Sequence, residues 1–111
     1  MIELGKLQEK FASMVPGLIN KAIGMGYGVR LGDCFRDPRV HGEMGVKMGY
    51  GHPKSAHKIK IAIDLNLVLG SELITDAKGH GPLHDYWDSV GGAKRIDNDL
   101  GHYSLEYQGV R

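Results

Sequence analysis

The run Ile61-Ala62-Ile63-Asp64-Leu65-Asn66-Leu67 constrains the fold more than any other part of the chain. Four large aliphatic residues alternate with Ala62, Asp64 and Asn66, and successive side chains of an extended strand point to opposite faces of a sheet. One face therefore packs on a core. The other carries a carboxylate whose neighbour on that face is only an alanine, which leaves room for an ion or a substrate.

Partners for Asp64 have to come from other segments, and His57 and His102 suit the spacing. Seven residues from His57 to Asp64 would put the two on opposite faces of one straight strand, so His57 is expected in the preceding loop, bent back over the sheet. Tyr103, Leu105 and Tyr107 alternate with His102, Ser104 and Glu106 in a last strand, and His102 can stand beside Asp64 if the two strands are neighbours. Two imidazoles and a carboxylate with a fourth position left to water make the donor set of a catalytic zinc, whereas structural sites are usually closed by four side chains. Either histidine alone would be read as a hydrogen-bonding residue and nothing more. His41, His52, His80 and His84 have no ligand-spaced partner on a common regular element and are expected on the surface or bonded in loops. Gly81-Pro82 argues against His80 and His84 sharing a helical turn.

The other elements frame this pair of strands. Leu4, Leu7, Phe11, Met14, Leu18, Ala22 and Ile23 recur at helical spacing, with Pro16 predicting a kink or two helices and Gly24 and Gly26 ending the segment. Gly24-Met25-Gly26-Tyr27-Gly28 follows a helix and leads into a strand, the reverse of a phosphate-binding loop, so it is a turn. Tyr27 to Leu31 is a short strand, and Asp33 to Lys54 a long connection punctuated by glycine, of a kind that is usually functional in a small domain. Pro82 is expected to open a helix with Leu83, Tyr86, Trp87 and Val90 on one face and Gly91-Gly92 at its end; Trp87 should roof the core.

Composition narrows the class. A chain of 111 residues, 41% hydrophobic and 24% charged, is expected to form one globular domain, with no separate binding domain expected. Its 17 glycines imply a loop-rich fold. Net charge of +1 does not suit a nucleic-acid binder, and Lys54, Lys58 and Lys60 around His57 read as a solvated rim. Cys34 is the only cysteine, so an internal disulfide and a four-cysteine zinc site are excluded, and it is expected as a small buried residue. No basic start with an apolar run and no membrane-spanning stretch is present, so a soluble monomer made in the cytoplasm is expected.

The motifs Ser-x-His-x6-Asp (Ser55, His57, Asp64) and Asp-x-x-His (Asp99, His102) resemble those of the zinc D-Ala-D-Ala carboxypeptidase and L-alanyl-D-glutamate endopeptidase family. Gly32-Asp33-Cys34-Phe35-Arg36-Asp37-Pro38-Arg39-Val40-His41-Gly42, Lys54-Ser55-Ala56-His57, Ala62-Ile63-Asp64-Leu65-Asn66-Leu67 and His102-Tyr103-Ser104-Leu105-Glu106 are similar to its small single-domain phage members. The resemblance runs from about Phe11 to Glu106. It implies an α+β domain of Hedgehog/DD-peptidase type, in which a small antiparallel sheet bearing one zinc packs against an N-terminal helix and a helix of the C-terminal half. It also implies a phage endolysin that hydrolyses peptidoglycan stem peptides at the L-alanyl-D-glutamate bond, reaching the wall after release from the host cytoplasm. A D-Ala-D-Ala carboxypeptidase of wall remodelling and a non-catalytic wall-binding or virion protein are the alternatives.

Roles follow for the other polar residues. Asp99, in the turn leading to His102, can reach the attacking water without ligating, and the resemblance implies that it is the general base. Ala93-Lys94-Arg95-Ile96 stands where phage members tend to carry an aromatic-containing stretch, which keeps Asp97 as a second candidate. Arg36 matches the arginine after the family's first strand and can hold a substrate carboxylate; an ion pair with Asp33 or Asp37 is its other reading. Ser55 is expected near the substrate, orienting the His57 loop by a hydrogen bond.

Overall fold

The computed structural model describes residues 2–111, so Met1 of the N-terminal stretch read above lies outside the described residues. Helix α1 (Leu4–Gly24) buries Leu7, Phe11, Leu18 and Ala22, and Met14 and Ile19 pack beside them. It is one element through Pro16, so of the kink and the two helices that the proline allowed, two helices are not formed. The exposed ring forgoes a hydrogen bond to Ala12, a cost of ~3 kcal/mol in a helix interior. Buried residues on both sides of it, Leu7 and Phe11 before and Leu18 and Ala22 after, hold the two halves to one core. The helix closes on Gly26 (φ 97°), where Tyr27 N–H donates to Ala22 and Gly26 N–H to Ile23. That paired closure requires the left-handed backbone glycine adopts freely.

The chain then forms strand β1 (Gly28–Leu31), a four-residue helix α2 (Pro38–His41) opened by an Asp37 cap, and a single 3-10 turn (Ala56–Ile59). Strand β2 (Ala62–Leu69) is the hub of a four-stranded antiparallel sheet. It pairs with β1 (Leu31 opposite Leu65), with β3 (Glu72–Ile74), a short return strand the sequence did not announce, and with β4 (His102–Ser104). The alternation is realised from Ile63 to Leu67, where Ile63, Leu65 and Leu67 are buried, Asp64 is half-buried and Asn66 is exposed, while Ala62 on the Asp64 face is buried as well. β4 is shorter than its pattern suggested. Beyond Ser104 only Leu105 still bonds to Ile61, and Tyr107 turns back to Val110.

Helix α3 (Ala77–Ser89) starts five residues before the expected Pro82, because the Asp76 side chain accepts from Gly79 N–H at 3.0 Å and caps it there. Pro82 is carried inside. His80 and His84 consequently lie on one helix and are buried, at 2% and 0% exposure, where loop or surface positions were expected. The reason is Tyr103. Its hydroxyl pairs with His80 Nδ1 at 2.7 Å, and its ring stacks on His84 at 4.1 Å, with His84 Nε2 donating to the Leu100 carbonyl. Burial pushes both imidazoles below their ordinary pKa.

Trp87 is wholly buried, edge-on to Phe11 and Tyr103, with Nε1–H donating to Ser104. Gly92 lies against its indole so closely that a β-carbon there would overlap the ring. The result is an α+β fold in which α1 and α3 cover one face of the small sheet. Among the described residues no helix is long and apolar enough to cross a membrane.

Candidate metal centre

Ser55 caps the 3-10 turn, accepting from His57 N–H at 3.2 Å, and Lys60 closes it in the left-handed conformation (φ 62°). This turn folds His57 back over β2. His102 is the direct cross-strand partner of Asp64. Three donor atoms thereby converge: His57 Nε2 lies 3.1 Å from Asp64 Oδ1 and 3.2 Å from His102 Nδ1, and His102 Nδ1 lies 3.5 Å from Asp64 Oδ1. Both imidazoles are buried, and Asp64 is half-buried.

The protonation pattern tests whether a cation suits this cluster. His57 Nδ1 faces the Cys34 carbonyl at 3.3 Å, which can only accept, so Nδ1 carries the hydrogen. In the neutral ring Nε2 then presents a lone pair toward a carboxylate oxygen and a second imidazole nitrogen, a convergence that a cation relieves, as does a hydrogen on His102 Nδ1. Ligands at ~2.0–2.1 Å on the corners of a tetrahedron are ~3.3 Å apart, close to the spacings here. The His57–Cys34 bond is also the support usual for a metal-bound imidazole. His102 Nε2 is buried without a partner. Burial alone would raise the Asp64 carboxyl, but the imidazoles of His102 and His57 against it hold it well below the usual carboxylate range. The buried group His57, Asp64 and His102 can hold a metal ion.

Arg36 sits beside this cluster, 12% exposed. Its Nε donates to Asp33 at 3.1 Å and Nη1 to Ser55 Oγ at 3.0 Å, while Nη2 lies 3.8 Å from the second oxygen of Asp64. The ion pair with Asp33 is thus present; Asp37 is engaged by Arg39 instead. Tyr50 covers the guanidinium, 5.3 Å from ring centre to Cζ, and donates its hydroxyl to Asp33 at 2.6 Å. That phenolic bond, with help from Arg36 and against burial, lowers the Asp33 carboxyl.

Asp99 is largely exposed, with Oδ2 3.9 Å from His102 Nδ1. It lies where two clefts meet. One, of about 550 Å3, is lined by Arg36, Gly51, Lys54, Ser55, Asp99 and His102, and the other, of about 310 Å3, by Asp64, Asn66, His80, Asn98 and Asp99 among others. Among the described residues Asp97 lines neither.

Two sequence readings are corrected here. Lys58 is 6% exposed, not part of a solvated rim, because its ammonium is drawn into backbone carbonyls of the preceding loop. Lys54 and Lys60 are exposed as expected. Cys34 is exposed, since in that irregular segment the carbonyl, and not the thiol, faces His57. The inward turn of Lys58 left no periodic signal. Tyr50 had one, as the single aromatic in a glycine-rich stretch.

Compared with models of protein families, with curated proteins and with solved structures, the chain has no match.

Proposed function

We propose that the protein is a zinc-dependent peptidase of Hedgehog/DD-peptidase type that hydrolyses peptidoglycan stem peptides at the L-alanyl-D-glutamate bond, as a phage endolysin does. The observation that carries the reading is the convergence of His57 Nε2, Asp64 Oδ1 and His102 Nδ1 within 3.1–3.5 Å of one another at the wall of a cleft. When bound, zinc polarises a scissile carbonyl and acidifies a water. Asp99, exposed at the meeting of the two clefts, takes the water proton and passes it to the leaving nitrogen. Ser55 fixes the His57 turn through the backbone N–H. Arg36 lines the larger cleft with Nη2 uncommitted to a hydrogen bond among the described residues, and offers it to a substrate carboxylate.

Space on both sides of Asp99 favours an endopeptidase over a carboxypeptidase, which needs a closed stop beyond the last residue. Mass spectrometry of muropeptides after digestion tests this. Stem peptides beginning at D-glutamate support the endopeptidase; loss of one terminal D-alanine alone supports the carboxypeptidase; unchanged muropeptides point to a wall-binding protein.

A further inference from the structure

The connection from Gly42 to Pro53 has no core of its own. Every residue from Glu43 to Tyr50 is exposed, and Gly42, Gly45, Gly49 and Gly51 adopt positive φ (83°, 89°, 68° and 92°). Ordering such a segment costs conformational entropy that buried apolar side chains normally offset, and here they are missing. Besides the backbone bonds from Gly45 to Pro53, Val46 to Glu43 and Met48 to His41, one ammonium gathers the loop. Lys58 Nζ donates to the carbonyls of Glu43 at 3.2 Å, Val46 at 2.7 Å and Pro53 at 3.0 Å, drawing on the start, middle and end of the loop.

Three donors meet three acceptors, so the group is fully satisfied. It forms no ion pair among the described residues. A buried charge is tolerated on such terms only when its hydrogen bonds are complete. The loop held in this way delivers Tyr50 to Asp33 and Arg36, and sets Gly51 where a β-carbon would come within 2.6 Å of Arg36 Nη1. Gly51 and His52 then form part of the larger cleft's wall.

We propose that the carbonyls of Glu43, Val46 and Pro53 form an alkylammonium site filled by Lys58, and that Lys58 is a positioning residue which folds this loop into a wall of the substrate cleft. The assignment of the wall to substrate rests on the hydrolase reading; the cage does not. The test is Lys58→Ala, with Lys58→Arg as the charge-conserving variant, read by hydrogen exchange of the loop amides and by KM, kcat and zinc content. In Lys58→Ala the amides of Gly45, Val46 and Met48, which bond within the loop and to His41, should exchange roughly tenfold to a hundredfold faster, the scale of losing hydrogen bonds from a charged donor. Exchange in α1 should not change. Propylammonium chloride, which replaces the deleted atoms, should restore protection where sodium chloride does not, and Lys58→Arg should retain part of it. KM for stem peptides should rise with kcat and zinc content nearly unchanged. Unchanged loop exchange, or faster exchange throughout α1 with no rescue by propylammonium, would overturn the cage. Faster loop exchange with an unaltered KM would overturn the wall. If the parent protein does not hydrolyse stem peptides, the hydrolase reading fails and the exchange data still judge the cage.

Discussion

At the scale of single residues, the sequence made Asp64 and His102 legible because a period of two places side chains without knowledge of the rest of the fold. The structure makes them direct cross-strand partners. His57 was picked out by its combination with Asp64 in the motif that carries the resemblance, and its place in a loop followed because no straight strand could bring it to Asp64's face. Lys58 and Cys34 were not, because which way a side chain turns in an irregular segment depends on carbonyls many residues away. Asp99→Asn should keep the fold and the metal and lose about 10²- to 10⁴-fold in kcat, the usual general-base contribution, measured on purified muropeptides. An active Asp99→Asn beside an inactive Asp97→Asn would move the base by two residues. Gly51→Ala should displace the Arg36 guanidinium, which its β-carbon would approach within 2.6 Å, and should raise KM more than it lowers kcat in steady-state kinetics.

At the scale of elements, most of the stripe of α1, though not the exposed Ile23, and the alternation of β2 from Ile63 to Leu67 were legible because both reflect one buried face, a property written along a single segment. The start of α3 was missed because Pro82 is a loud local signal. The Asp76 cap that outweighs it is a common residue in an unremarkable place. The stack of His84 on Tyr103 joins α3 to β4 and gives the fold a pH dependence. Both buried histidines have folded pKa values below the ordinary 6.5. The unfolded chain therefore binds protons that the folded chain refuses: stability is full above about 6.5 and falls as pH drops through that value toward the lower folded pKa values. Calorimetry should show Tm falling over this interval, and His84→Phe, which keeps a stacking ring but cannot titrate, should make the fall shallower. Gly92→Ala should destabilise by about 1–3 kcal/mol in urea unfolding, the usual cost of overpacking, because its methyl group would meet the buried Trp87 indole.

At the scale of the whole molecule, the sheet, the 3-10 turn and the segment after β1 meet around one small cluster, and each supplies what the others lack. β2 and β4 contribute Asp64 and His102, the 3-10 turn contributes His57, and the segment after β1 contributes Arg36 and the Cys34 carbonyl that orients His57. An ion held by His57, Asp64 and the sequence-distant His102 would stabilise the folded state by mass action, so chelation should lower Tm and added zinc should restore it. Whether His57, Asp64 and His102 hold one zinc is decided by metal analysis of the purified protein and its alanine variants. About one zinc per chain is expected in the parent, in His80→Ala and in His84→Ala, and its loss in His57→Ala, Asp64→Ala and His102→Ala. Full zinc occupancy in His102→Ala would contradict this ligand set.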